Sequence, residues 1–217
     1  MAALIRYYLA ATVHGQRYLA PLLFDLSVLA VFTINDSGPL VGSYVVSAAS
    51  LLLTACWLTV TIVNLEDPVR RAITLVTAGG AARVLAAEAG LATLAGIGLI
   101  GVGTVFPIVS GSHVVTGREV LAGVLAQVTT TAVGIAVGLL CSRLVVPRPG
   151  YSLLLALIVI VAVPLTPGLP PVHSMLRLMS SATGAVPLGP LLADAAIAVF
   201  VLFAGFVVTH RIAITRD

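Results

Sequence analysis

Polar positions are sparse along this chain, and the apolar runs between them approach the roughly 20 residues that a helix needs to cross a bilayer. About six such runs can be drawn: Leu19 to Ile34, Ser43 to Val63, Val84 to Val109, Val120 to Ser142, Tyr151 to Leu165, and Leu191 to Thr209. The weak ten-residue alternation of a membrane barrel is missing, so the runs predict a bundle of helices. Residues 4 to 19 follow a different pattern. At 100° per residue Arg6, Ala10, His14 and Arg17 share one face, and Leu4, Ile5, Tyr8, Leu9 and Leu19 lie opposite. This predicts an amphipathic helix over 1–18 that lies along the membrane interface and turns into the bilayer near Pro21. The competing reading is an extended first span with a polar start. A cleavable signal is not expected, because a charged start, an apolar block and a small-residue site do not follow in order.

Between the last two runs, TPGLPPVHSMLRLMSSATGAVPLGP is apolar but interrupted by Pro167, Pro170, Pro171, Gly184, Pro187 and Pro190. It is too broken to cross as one helix. A short helix near Val172 to Ser181, with Met175, Leu176 and Met179 on one side, is expected to form a re-entrant element within 166–190. A seventh, broken span is the alternative. The predicted fold is therefore an all-α integral membrane protein. An interfacial helix precedes a six-helix domain over 19–217, and a broken segment precedes the last span.

Composition strengthens this reading. Of the 217 residues 59% are apolar and only 9% charged, where a soluble domain carries roughly 25% charge. The mean hydropathy is +1.15. All positive side chains other than histidine are arginines, as GC-rich bacterial coding would give. Arg6, Arg17, Arg70, Arg71, Arg83, Arg143, Arg148, Arg211 and Arg216 fall on one side of the predicted spans, against Arg118 and Arg177 on the other. Because arginines are retained on the cytoplasmic side, both termini are expected there, in a bacterial inner membrane. The basic balance then suits an anionic leaflet, and nucleic-acid binding is not expected.

Several residues carry candidate chemistry. Ser43, Ser47, Ser50, Thr54 and Thr61 project onto an arc of roughly 60° at 3.6 residues per turn. Such a stripe either lines a translocation path or bonds neighbouring helices and its own backbone. Gly123, Gln127, Thr130, Gly134 and Gly138 share a face of the fourth span, and G-x-x-x-G spacing predicts close helix packing there. In GIGLIGVG, Gly96, Gly98 and Gly101 match G-x-G-x-x-G literally. They lack the strand, helix and later acid of a dinucleotide site, so no nucleotide site is expected on this chain. Cys56 and Cys141 lack metal-ligand spacing and read as small packing residues. His14, His113, His173 and His210 are scattered, with no H-E-x-x-H and no metal site expected.

Acids within apolar runs are costly and so draw attention. Glu119 adjoins Arg118 at an edge, and Asp194 is expected at the N-terminal end of the sixth span, where an acid complements the helix dipole. Asp25 and Glu88 remain as candidates on a proton or ion path. The densest charge lies in VNLEDPVRRAIT, residues 63–74. Within the connector 64–83, Pro68 suits a helix first turn, acids precede it, bases follow it and Gly79-Gly80 ends it. The connector reads either as a charged helical knob for a soluble partner or as a solvated loop that sets topology.

An amphipathic lead-in, six spans, EDPVRRAIT after the second span and a broken apolar segment before the sixth resemble the membrane subunit of an ATP-binding-cassette exporter, in its compact six-helix permease class. The resemblance covers nearly the whole chain in layout. It implies that Glu66, Asp67, Pro68, Arg70 and Arg71 form a coupling helix docking on a separate ATPase subunit, which would bind ATP and Mg. It also implies that the second span faces the substrate path, that 168–189 form the extracellular element, and that a second permease copy or sister permease completes the pathway. The expected cargo is an amphipathic drug, peptide or lipid. No cofactor is expected on this chain, nor an enzyme activity of its own. The rival expectation is an ATP-independent transporter or channel using Asp25 or Glu88.

Overall fold

The structure, a computed structural model, describes residues 1–34, 36, 38–112, 115–145, 149–166, 171–181 and 186–216. Among these residues every regular element is a helix: α1 (Ala2–His14), α2 (Leu19–Thr33), α3 (Leu40–Val63), α4 (Pro68–Ala78), α5 (Ala81–Ser110), α6 (Gly117–Leu140), α7 (Pro149–Leu165), α8 (Val172–Ser180) and α9 (Leu188–Arg216). Four of them, α3, α5, α6 and the stretch Leu188–Thr215 of α9, are long and apolar enough to cross a membrane. The apolar α2 and α7 are shorter: at 1.5 Å per residue the 15 residues of α2 reach only about 22 Å.

The bundle is built around α3 and α6, which make the most extensive helix contact, and α9 packs against the other side of α6. Glycine spacing explains the α3–α6 approach. A Cβ at Gly134 would stand 2.6 Å from the Leu52 carbonyl, and one at Gly138 would stand 2.8 Å from the Cys56 carbonyl. Gly123 leaves room for the Tyr44 ring in the same way. The expected G-x-x-x-G packing is thus present, and Gly134→Ala should destabilise the bundle by about 1–3 kcal/mol, the usual cost of overpacking. Gly101→Ala, which meets open space, should leave thermal unfolding in detergent unchanged, and equal losses in the two variants would contradict the account.

The core lacks the usual contrast with its surface. Phe200, Phe203, Ile158, Val105 and Val109 are all more than half exposed on α9, α7 and α5. Outward apolar faces of this extent suit lipid, and the architecture fits a helical membrane protein. Gly96, Gly98 and Gly101 all lie within the continuous α5, away from any strand-to-helix turn. Cys56 and Cys141 are free and buried, packed with Val60, Val137 and Ile160.

Two positions differ from the sequence expectation. The chain turns between α1 and α2 at Gly15 to Tyr18, with Gln16 at φ 51°, while Pro21 sits inside the first turn of α2, where it needs no amide partner. Asp194 lies two turns inside α9, because that helix begins at Leu188. It is buried and accepts a 2.8 Å bond from the Ser174 hydroxyl of α8. Asp25, a candidate from its place in an apolar run, is fully buried against α3, bonded by Ser50.

Helix α8 closes one end of the bundle. Met175 and Met179 pack there with Leu40, Tyr44, Ala122, Ala126 and Leu191, as the clustering of its methionines suggested. Most of the surrounding segment, 167–170 and 182–185, lies outside the described residues, as does His113.

Candidate functional site: the α4 end of the bundle

At the end opposite α8, the chain leaves α3 and enters α4 through Leu65, Glu66 and Asp67. The Asp67 carboxylate caps α4 by accepting from the Arg70 amide at 2.8 Å, and Pro68 occupies the first turn. Gly79 ends the helix at φ 77°, with the Gly80 amide donating to the Leu75 carbonyl at 2.9 Å. A compact capped helix of 11 residues results, as the acids, proline and glycine pair predicted.

The charge cluster divides between two faces. Asp67 and Arg70 are 58% and 77% exposed and lie 3.6 Å apart. Glu66 and Arg71 turn inward and are buried. The Glu66 carboxylate accepts three hydroxyls: Tyr7 at 2.9 Å, Tyr8 at 3.0 Å and Thr74 at 2.8 Å. Arg71 Nη1 donates to Glu88 Oε1 at 2.7 Å, joining α4 to α5. Of the five residues expected to form a coupling helix, Glu66 and Arg71 are therefore turned into the protein in this structure. Their charges are satisfied there by charge-assisted bonds, Glu66 to Tyr7, Tyr8 and Thr74, and Arg71 to Glu88.

Electrostatics around this buried cluster are balanced. Arg143, whose amide donates to Asn64 Oδ1 at 3.1 Å, adds a second inward cation. Its affinity for a proton is lowered by burial and by Arg71, and partly restored by Glu88 and Glu66. Burial alone would lower that of Arg71, but the Glu88 charge beside it more than offsets this and raises it. The phenol of Tyr8 is pushed up by burial and by the charges of Glu88 and Glu66, and that of Tyr7 chiefly by its bond to Glu66. Both therefore remain protonated donors. Two acids and two arginines bind α1, α3, α4, α5 and the end of α6 into one unit.

What α4 shows to the outside is apolar. Val69, Ile73 and Val76 are 72%, 62% and 82% exposed, and their spacing places them within an arc of about 60°. Arg71 and Thr74 occupy the buried side. The helix is thus reversed in polarity, apolar outward and polar inward. The stripe is legible in PVRRAITLVTA, but with the arginines read as outward it passes for the packing face.

The hydroxyl stripe of α3 is also a real face, directed into the protein. Ser43 Oγ donates to Asp36 Oδ2 at 2.8 Å. Ser47 lies 3.4 Å from the Gly103 carbonyl and accepts from Gln127 Nε2 at 3.2 Å. Ser50 and Thr54 address Asp25 Oδ1 at 2.8 and 3.5 Å. Thr61, half-buried, bonds its own helix at the Trp57 carbonyl. Four of the five hydroxyls therefore tie α3 to its neighbours or to the chain before it, and Thr54 borders a cavity of about 430 Å³ between α1, α2, α3 and α5.

No family model, curated protein or solved structure matches this chain. The remaining chemistry is likewise spare. Among the described residues no three His, Cys, Asp or Glu side chains converge as a metal site. His173 contacts the Pro164 carbonyl at 2.9 Å and His210 stacks on Phe206. Glu88, a relay candidate from its position, is committed to Arg71. Asp25 is not paired in this way.

Proposed function

We propose that this chain is the permease subunit of an ATP-binding-cassette exporter. Helix α4 docks on a separate ATPase subunit that binds ATP and Mg, and the transmembrane helices carry an amphipathic substrate by alternating access. The reversed polarity of α4 is the single observation that carries this reading. A helix with Val69, Ile73 and Val76 outward and Glu66 and Arg71 locked inward presents a sticky surface on a rigid mount. Apolar residues held in the open in this way suit burial in a partner's cleft. Asp67 and Arg70 lie at the edge of that stripe and would set its register.

In this reading α2, α3, α5, α6, α7 and α9 cross the bilayer, with local thinning around the short α2 and α7. Both termini and α4 face the cytoplasm of a bacterial cell, and α8 with the flanking 166–190 forms the outer re-entrant element. A second permease copy or sister permease supplies the other half of the pathway. Closure of paired ATPases on ATP would push α4, and the Arg71–Glu88 and Glu66–Tyr8 contacts would pass that motion to α5 and α1.

Gentle solubilisation of native membranes, with the chain tagged at its C-terminus, tests the reading. A near-stoichiometric ATPase is expected by mass spectrometry of the purified complex. Reproducible absence of any ATPase from an intact, monodisperse preparation would favour an ATP-independent transporter. The unpaired Asp25 is the residue on which that second reading rests.

A further inference from the structure

The cavity between α1, α2, α3 and α5, about 430 Å³, is lined by Leu22, Leu58, Leu91, Leu99 and Val102, with Thr54 among the few polar residues on its wall. Its mouth opens beside α1, where Leu9 and Val13, also part of the lining, are half exposed. Thr54 Oγ1 in turn lies 3.5 Å from Asp25 Oδ1. Asp25 stands one helical turn beyond Leu22 on the same side of α2 and is 0% exposed. Oδ1 receives Ser50 and Thr54, and Oδ2 has no partner at all. The ion pairs among the described residues are Arg70–Asp67 and Arg71–Glu88, so no arginine neutralises Asp25.

A buried carboxylate with one oxygen orphaned is expensive in a setting as apolar as this. A carboxylate behind the wall of an apolar cavity of ligand size has one obvious complement. We propose that this cavity binds a lipophilic monocation, an apolar body bearing one positive charge, with Asp25 as its counter-charge and Thr54 at the junction. The apolar body fills the space among the leucines, and the charge lies by Thr54, where low polarity strengthens its attraction to Asp25. Entry beside α1 suits a molecule already dissolved at the membrane interface. As a statement about cargo this rests on the exporter reading, and it narrows that substrate class to cations. As a statement about binding it needs no ATPase.

The full-length chain, purified into nanodiscs of neutral phosphatidylcholine, is titrated with tetraphenylphosphonium by equilibrium dialysis, with triphenylphosphine oxide as an uncharged probe. Saturable phosphonium binding is expected, weakened at least about tenfold by Asp25→Asn, where the uncharged probe binds wild type and variant alike. Gly98 lines the cavity and a Cβ there meets nothing within 4 Å. Gly98→Phe should therefore fill the space and abolish binding of both probes while thermal unfolding stays near wild type. That variant keeps the test open even where Asp25→Asn does not fold. Absence of saturable binding to wild type, or equal phosphonium affinity in a folded Asp25→Asn or Gly98→Phe protein, overturns the proposal. Failure here leaves ATPase co-purification untouched, and a missing ATPase leaves the binding result untouched.

Discussion

Arg71→Met should lower the stability of the chain by about 3–5 kcal/mol, the usual cost of stranding one member of a buried ion pair. The stranded member is Glu88, 1% exposed, whose second oxygen already lacks a partner. Methionine replaces the aliphatic stem of arginine, so most stem packing is kept and the orphaned charge dominates. The double variant Arg71→Met, Glu88→Met should recover most of the loss, because two apolar side chains of similar volume remove the desolvation cost together with the attraction. Thermal unfolding of the purified chain in detergent measures both. A single variant as stable as wild type, or a double variant as unstable as the single, would contradict the pairing. Glu66→Gln should be milder, since an amide oxygen in the place of Oε1 still accepts from Tyr7 and Thr74.

The same pair shows what the sequence makes legible and where it stops. Glycine and hydroxyl periodicity can be read directly, because a helix converts spacing into a face. The glycine face of α6 at Gly123, Gly134 and Gly138 could therefore be foreseen residue by residue, though not that α3 would meet it. So could α4 itself, whose Asp67, Pro68 and Gly79 are local signals that need no tertiary contact. What a face meets is a different matter. Tyr8 is 58 residues from Glu66 and Glu88 is 17 from Arg71, and no local rule sets those distances in space. Charged residues beside a membrane are by default read as solvated, and nothing local marks Glu66 and Arg71 as inward. The Ser50 and Thr54 hydroxyls are likewise visible as a stripe, while their pairing with Asp25 is not. That contact depends on how α2 lies against α3, which periodicity in α2 alone does not determine.

The outer face of α4 carries the second large effect. On the exporter reading proposed above, Val69→Ser, Ile73→Ser and Val76→Ser combined should release the proposed ATPase partner while leaving the chain folded. All three side chains are more than 60% exposed in the isolated chain, so their loss removes little internal packing, and the unfolding temperature should stay within a degree or two of wild type. At a partner surface each buried Val or Ile is worth about 1.5–3 kcal/mol. Even at the low end the three together exceed 4 kcal/mol in order of magnitude, and since about 1.4 kcal/mol is tenfold in affinity, the complex should weaken by more than a hundredfold. Charge reversal at Asp67 or Arg70 should act differently, because these residues lie at the edge and pair weakly in solvent. Their effect should be smaller, sensitive to salt and partly relieved when both are reversed together. Quantitative pull-down of the ATPase at two ionic strengths separates the two contributions. Retention of the ATPase by the triple serine variant would show that docking uses another part of the chain and would leave the stripe free for the lipid surface.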